Sequence, residues 1–407
     1  MNIAIFTDTY KPQVNGVVSS IESFRAELEA MGHKVYIFAP KMKGIHKIEN
    51  VFYFRSVPYA FHPENRLAWP GSRQLFKFSS LNIDVIHSQT PFSMGELALA
   101  LGRLFKIPVV HTYHTFFSAY AHYVPFAPKN WTEKVAELAS RRYCNACKLV
   151  IVPSGVIEKV LLKYKVKTPI ETIPSGVDVY DYADKDHHLV RKKYHIKDEE
   201  KVLLFVGRLG KEKNIDFLLD AFLQILKSFP QLKLMIVGDG PERKNLEARV
   251  KRDGVRDKVV FTGYLDKKDV FRCYQAADLF VFSSKTETQG LVLAEAMSVG
   301  LPVVAVNAMG VSDILEKNEG GVLTRESINE FSHNIIKLLS DDDLWKKKSD
   351  EAKLRTQRLT TAVMAERLVK CFKKVVDIYG ERYKLVGADP CVCPIRNRKH
   401  SRKTNEL

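Results

Sequence analysis

MNIAIFTDTYKPQVNGVVSSIESFRAELEAMGHKVYIFAP, residues 1–40, reads as strand, turn, helix and strand in succession. Ile3 to Thr7 and Lys34 to Ala39 are apolar runs of strand length. Between them Ile21, Phe24, Leu28 and Met31 recur at the three- and four-residue spacing that gives a helix one apolar face. Ser19 and Glu22 have the spacing of a capping box, and Gly32 is the residue type that ends a helix. A strand, a crossover helix and a second strand form a βαβ unit, whose strands run parallel.

The alternation continues outward from this unit. Val51 to Arg55, Asp84 to Ser88, Val109 to Tyr113, Leu149 to Pro153 and Ile170 to Pro174 read as further strands, which predicts one doubly wound domain over residues 1–178. Asp178 to Glu200 is charged and weakly periodic, and VLLFVG from Val202 then opens a second series. Lys233 to Val237, Val259 to Thr262, Leu279 to Ser283 and Pro302 to Val306 continue it, within a second domain over residues 179–362. From Glu326 onward the pattern is helical, and residues 363–383 predict a helix long enough to cross back to the first domain. Residues 384–407 are basic and aperiodic, the composition of a disordered tail. The expected fold class is α/β, two Rossmann-like domains facing each other across a cleft, with ligands held where strand C-termini and helix N-termini meet the gap.

Hydrophobic residues are 45% of the 407 and charged residues 27%, a globular balance, and no apolar run reaches the roughly 18 residues that span a bilayer. MNIAIFTDTY lacks the basic region and cleavage site of a leader, which predicts a cytoplasmic protein. Six cysteines, with Cys144 and Cys147 three apart and Cys391 and Cys393 in the tail, make neither a disulfide framework nor a finger-sized metal site. The net charge of +16, heaviest in the first half and the tail, calls for an anionic partner. Nucleic acid, an anionic membrane and a phosphate-bearing substrate all suit that charge, but no nucleic-acid-binding module is present.

The densest chemical signal is FVFSSKTETQGLVLAEAMSVGLPVVA, residues 280–305, where a strand enters a loop that opens a helix. Glu287 lies in the loop and Glu295 in the helix; Thr288, Gln289 and Gly290 offer backbone N–H groups at the helix start. Such a terminus binds phosphate, and the carboxylates accept hydrogen bonds from sugar hydroxyls. In FVGRLGKEKNIDFLL, residues 205–219, Arg208 and Lys213 project from a strand-to-helix loop, the placement that neutralises a leaving diphosphate. Gly16, after the first strand, would let backbone approach a ligand, and His114 lies at the ligand-facing end of its strand, near His111 and His122. Gly238 and Gly240 begin a dinucleotide fingerprint that Pro241 and Arg243 leave incomplete, which counts against a dehydrogenase. Asp184-Lys185-Asp186 mimics a metal-binding pair of acids, yet falls in the charged interdomain segment.

PQVNGVV, HTYHT, VPSG, IPSGVD, FVGRLGKEKN, VGDGPE and the pair Glu287 and Glu295, in this order, resemble the GT-B glycosyltransferases of family 4 over nearly the whole chain to about Tyr383. Within that family TDTYKPQVNGVVSSI, PVVHTYHTFF and SSKTETQGLVLAEAM look most like bacterial diacylglycerol glucosyltransferases. The resemblance implies that Glu287 binds donor-sugar hydroxyls, Glu295 the ribose, and Arg208 with Lys213 the diphosphate. Backbone at Gly16 and amides from Thr288 to Gly290 would hold phosphate and sugar, with His114 beside the sugar. Many members carry two glycines where this chain has Asn15-Gly16. The implied reaction retains configuration with no protein carboxylate placed as a nucleophile: the acceptor attacks on the face the nucleoside diphosphate leaves, and neither a metal nor another cofactor is required. The acceptor would meet the first domain, where Phe116, Phe117, Tyr120, Tyr123, Phe126 and Trp131 cluster and could dock on an anionic membrane. Glucose transfer from UDP-glucose to diacylglycerol, by an enzyme peripherally bound to the inner face of the cell membrane, is the expected activity; another lipid or a glycan acceptor, as for a mannosyltransferase, is the alternative.

Overall fold

A computed structural model describes residues 1–13, 15–42, 47–59, 62–69, 74–114, 129–177, 187–285, 287, 289–308 and 310–385. The first half supplies strands β1 (Asn2–Phe6), β2 (Lys34–Pro40), β3 (Val51–Phe54), β4 (Ser56–Tyr59), β5 (His62–Ala68), β6 (Val85–Ser88), β7 (Val109–Thr112), β8 (Leu149–Val152) and β9 (Ile170–Thr172). Its helices are α1 (Gly16–Ala30), α2 (Gln74–Phe78), α3 (Ser93–Leu104), α4 (Lys129–Ala146) and α5 (Gly155–Lys163). Seven of the strands make a parallel sheet in the order β3-β2-β1-β6-β7-β8-β9. The chain winds outward from β1 and then returns to its other side at β6, so the C-terminal ends of β1 and β6 flank a crevice of the kind that holds ligands in open α/β sheets.

The second half repeats the plan. After α6 (His187–Lys193), strands β10 (Lys201–Val206), β11 (Leu232–Val237), β12 (Val259–Gly263), β13 (Leu279–Phe282), β14 (Val303–Val306) and β15 (Gly321–Thr324) form a parallel sheet ordered β12-β11-β10-β13-β14-β15. Helices α7 (Ile215–Leu226), α8 (Arg243–Arg252), α9 (Lys267–Ala276), α10 (Leu291–Ser298), α11 (Val311–Ile314), α12 (Ile328–Ser340) and α13 (Asp342–Gln357) accompany it. Here the strand order reverses between β10 and β13.

The last helix, α14 (Thr361–Leu385), leaves this second core and joins the first. Met364, Leu368 and Phe372 are buried in one cluster with Ile3, Ile5, Ile21 and Leu28. Burial of each such side chain is worth about 1.5–3 kcal/mol, which fastens the helix to the far domain. Where it sets off, two segments cross: Val177 N donates to Leu359 O at 2.9 Å and Thr361 N donates to Val177 O at 3.1 Å. Gly176 makes the crossing possible, because a Cβ there would stand 2.1 Å from Thr361 Cα.

Three local readings of the sequence are corrected. Helix α1 starts at Gly16, not at Ser19: the Asn15 side chain accepts from Val18 N, while Glu22 accepts from the Tyr10 hydroxyl and pairs with Lys11. An Asn cap satisfies an orphan donor as well as Ser does, so the nearer box-like spacing misled. The antiparallel pair β4-β5 was not foreseen, since Pro58 and the polar run HPENRLA hide the alternation of a strand. Neither was β15, whose four residues GVLT complete the edge beside β14.

Candidate active site

The two loops that follow the central strands of the second sheet come together. Lys213 ends a 3-10 turn over Lys211–Lys213, and its Nζ lies 2.9 Å from Glu287 Oε2, in the loop after β13. Both side chains are mostly withdrawn from solvent, at 16% and 20% exposure, where an ion pair is screened less than at the surface. The loops are also stitched by backbone: Ser283 Oγ donates to Lys213 O at 2.8 Å and Lys285 N to Glu212 O at 3.1 Å. The Lys213 ammonium lies 5.7 Å from the Phe282 ring centroid. Arg208, two residues beyond β10, is exposed, and its guanidinium has no partner among the described residues.

Gly290 stands immediately before α10 with φ 78° and ψ 45°, left-handed backbone that glycine adopts at least cost. Gln289 beside it is buried and spans the domains: Ser175 N donates to its Oε1 at 2.9 Å and its Nε2 donates to Ser175 O at 2.7 Å. Glu287 O accepts from Gly310 N at 2.9 Å, which holds the loop from the other side. Thr288 lies outside the described residues.

Glu295 occupies a separate position from Glu287. It lines a cavity between the domains with Ser19 and Ser20 of α1, Ser175, Lys267 and Tyr274. The Tyr274 hydroxyl, fully buried, donates to Glu295 Oε2 at 2.9 Å and aims the carboxylate. Tyr274 was missed in the sequence because it sits on the apolar face of α9 beside Phe271 and reads as core.

Across the cleft, Gly16 is the first residue of α1, and a Cβ there would meet nothing within 4 Å, so open space adjoins the helix start. His114 follows β7 and is half-buried; its Nε2 lies 2.5 Å from Gln89 Oε1. Burial pushes its pKa down to about 4, which keeps the imidazole neutral at physiological pH. His111 is buried within the sheet with Nδ1 3.1 Å from Ser88 O, and burial pushes it down to about 3. Gln89 and the buried His87 had no place in the sequence reading; the signal was two polar residues, in IHSQT, at the end of a parallel strand.

Of the aromatic group, Trp131 lies on α4 with 62% exposure, while Phe116, Phe117, Tyr120, Tyr123 and Phe126 lie outside the described residues, as do His122, Asp184, Asp186, Cys391 and Cys393. Cys144 and Cys147 are buried, and desolvation pushes the Cys144 thiol up to about 12 and Cys147 higher still, the state of inert core thiols. Among the described residues no helix is long and apolar enough to cross a membrane.

Two family models match the chain: Glycosyltransferase Family 4 over residues 14–180 and Glycosyl transferases group 1 over residues 186–355. An alpha-monoglucosyldiacylglycerol synthase of Streptococcus pneumoniae is 36% identical over 331 residues, 79% of this chain and 75% of the relative. Another of the same name, from Acholeplasma laidlawii, is 30% identical over 392 residues, 93% and 98% of the two chains. Among solved structures, sucrose-phosphate synthase of Thermosynechococcus elongatus superposes with a TM-score of 0.75 at 22% identity, covering 93% of this chain and 99% of that one. Anabaena HepE in complex with UDP gives 0.74 at 20% identity, covering 92% and 100%. The fold is therefore GT-B, and the chain belongs to glycosyltransferase family 4.

Proposed function

We propose that this glycosyltransferase moves glucose from UDP-glucose to diacylglycerol, with retention at the anomeric carbon, while bound peripherally to the inner, anionic face of the cell membrane. The observation that carries the reading is the convergence of Lys213 with Glu287 beside the start of α10, at the point where the strand order of the second sheet reverses. The names of the two relatives above support the acceptor and the sugar.

In this reading the chemistry is charge management. As the bond to the anomeric carbon breaks, negative charge grows on the departing diphosphate, and Arg208, Lys213 and the N-terminus of α10 offset it in place of a metal ion. An ammonium has three donors, so Lys213 holds Glu287 with one and has others for phosphate oxygen. Glu287 accepts from sugar hydroxyls, Glu295 from the ribose, and Gly16 lets backbone near the phosphates. The acceptor hydroxyl attacks from the face the diphosphate leaves and passes its proton to the departing phosphate oxygen, which preserves configuration without a glycosyl-enzyme bond. Trp131 and the aromatics that precede it, on a chain of net charge +16, suit an anionic membrane surface.

A panel of nucleotide sugars offered with diacylglycerol in anionic vesicles tests this. Glucolipid formed from UDP-glucose is the expected result. Donor hydrolysis without lipid product removes the acceptor, and product from GDP-mannose alone replaces the donor.

A further inference from the structure

His114 is one end of a buried line of hydrogen bonds. Its Nε2 lies 2.5 Å from Gln89 Oε1; Gln89 Nε2 lies 3.0 Å from His87 Nδ1 and 3.1 Å from His87 Nε2; His87 Nε2 lies 2.6 Å from Thr112 Oγ1. His87, Gln89 and Thr112 are 3%, 5% and 8% exposed, so each link must match one donor to one acceptor. The line closes from behind, where Phe372 of α14 meets the His87 ring edge-on, centroids 5.1 Å apart.

An amide oxygen only accepts, so the His114 nitrogen facing it carries a proton. The amide nitrogen only donates, and it stands against both nitrogens of the His87 ring, which holds the Gln89 amide with its oxygen turned to His114. We propose that Gln89 is a positioning residue that fixes His114 as the Nε2–H tautomer, leaving Nδ1 a hydrogen-bond acceptor selective for donor sugars that offer a hydroxyl rather than a carboxylate. The claim about sugars rests on the function proposed above; the claim about the tautomer does not. A neutral ring whose second nitrogen carries a lone pair accepts a hydrogen bond from a hexose hydroxyl and repels the oxygens of a hexuronate. The titratable groups around the line are His87 on β6, His111 on β7, Tyr143 on α4, 4.7 Å from the His111 ring, and Asp8, held by Thr90, Ser93 and Met94 N.

Histidine-labelled full-length protein, read by long-range proton–nitrogen NMR with His114→Asn for assignment, tests the tautomer without any substrate. Wild type is expected to show a protonated Nε2 and a bare Nδ1 on His114, unchanged across neutral pH. Gln89→Glu places a carboxylate against Nε2–H and is expected to make His114 titrate at higher pH, to lower kcat/KM for UDP-glucose by about tenfold, and to narrow the preference for UDP-glucose over UDP-glucuronate. Gln89→Met, which decides the matter should the glutamate variant not fold, is expected to give a mixture of tautomers. A wild-type His114 protonated on Nδ1, or variants with its wild-type spectrum, overturns the inference. The expected tautomer in a protein that transfers no sugar would reject the proposed function and leave the positioning role standing.

Discussion

Lys213 Nζ stands 2.9 Å from Glu287 Oε2, joining the loop after β10 to the loop after β13. In the proposed function this contact joins a cation for the diphosphate to a carboxylate for the sugar, and each orders the other before a donor arrives. Such preorganisation removes reorganisation from the reaction step. Lys213→Ala is expected to lower kcat/KM by about 100-fold or more, and steady-state kinetics on UDP-glucose checks it. Because the partner carboxylate is left half-buried and unpaired, a stability loss of about 1–3 kcal/mol accompanies it, measured by denaturant unfolding.

Arg208 separates function from stability. Its guanidinium is exposed and has no partner among the described residues, so the fold does not use it. Arg208→Ala is expected to cost about 100-fold in kcat with an unchanged Tm. Wild-type turnover would remove Arg208 from the site.

Asp313 Oδ2 accepts from Gly155 N at 2.6 Å, capping α5 of one domain from the other. Together with the Gln289–Ser175 pair it ties the two halves near the cleft. Asp313→Ala should cost about 1 kcal/mol, the usual worth of a cap, and raise the KM for UDP-glucose through looser closure. Small-angle scattering reads the opening as a larger radius of gyration; an unchanged radius and KM would deny the tie.

His87 and His111 make stability fall in acid. Burial pushes both from 6.5 down to about 3, so the unfolded chain binds protons there that the folded chain refuses. Stability from these groups is complete above 6.5 and is lost as pH falls toward 3, each contributing a slope of about 1.4 kcal/mol per pH unit in between. Urea unfolding at pH 7 and pH 5 measures the difference, and His111→Gln is expected to make the slope shallower.

The strands and the first crossover helix were legible because parallel strands are apolar runs and Ile21 and Leu28 repeat with helical period. The helix start at Gly290 was legible for the same local reason, a strand followed by a glycine-bearing turn. What escaped is long-range. Lys213 and Glu287 are 74 residues apart, and nothing local announces their pairing. Tyr274 looked like core because it is core, with only its hydroxyl at work on Glu295. Gln89 and His87 meet His114 only once β6 and β7 lie side by side.

The anomeric configuration of the lipid product tests the central claim most directly. Proton NMR of the glucolipid made from UDP-glucose and diacylglycerol in anionic vesicles is expected to show the α-linked sugar, the configuration of the donor. A β-linked product, or no glucolipid from an enzyme that still binds UDP-glucose, would contradict the account.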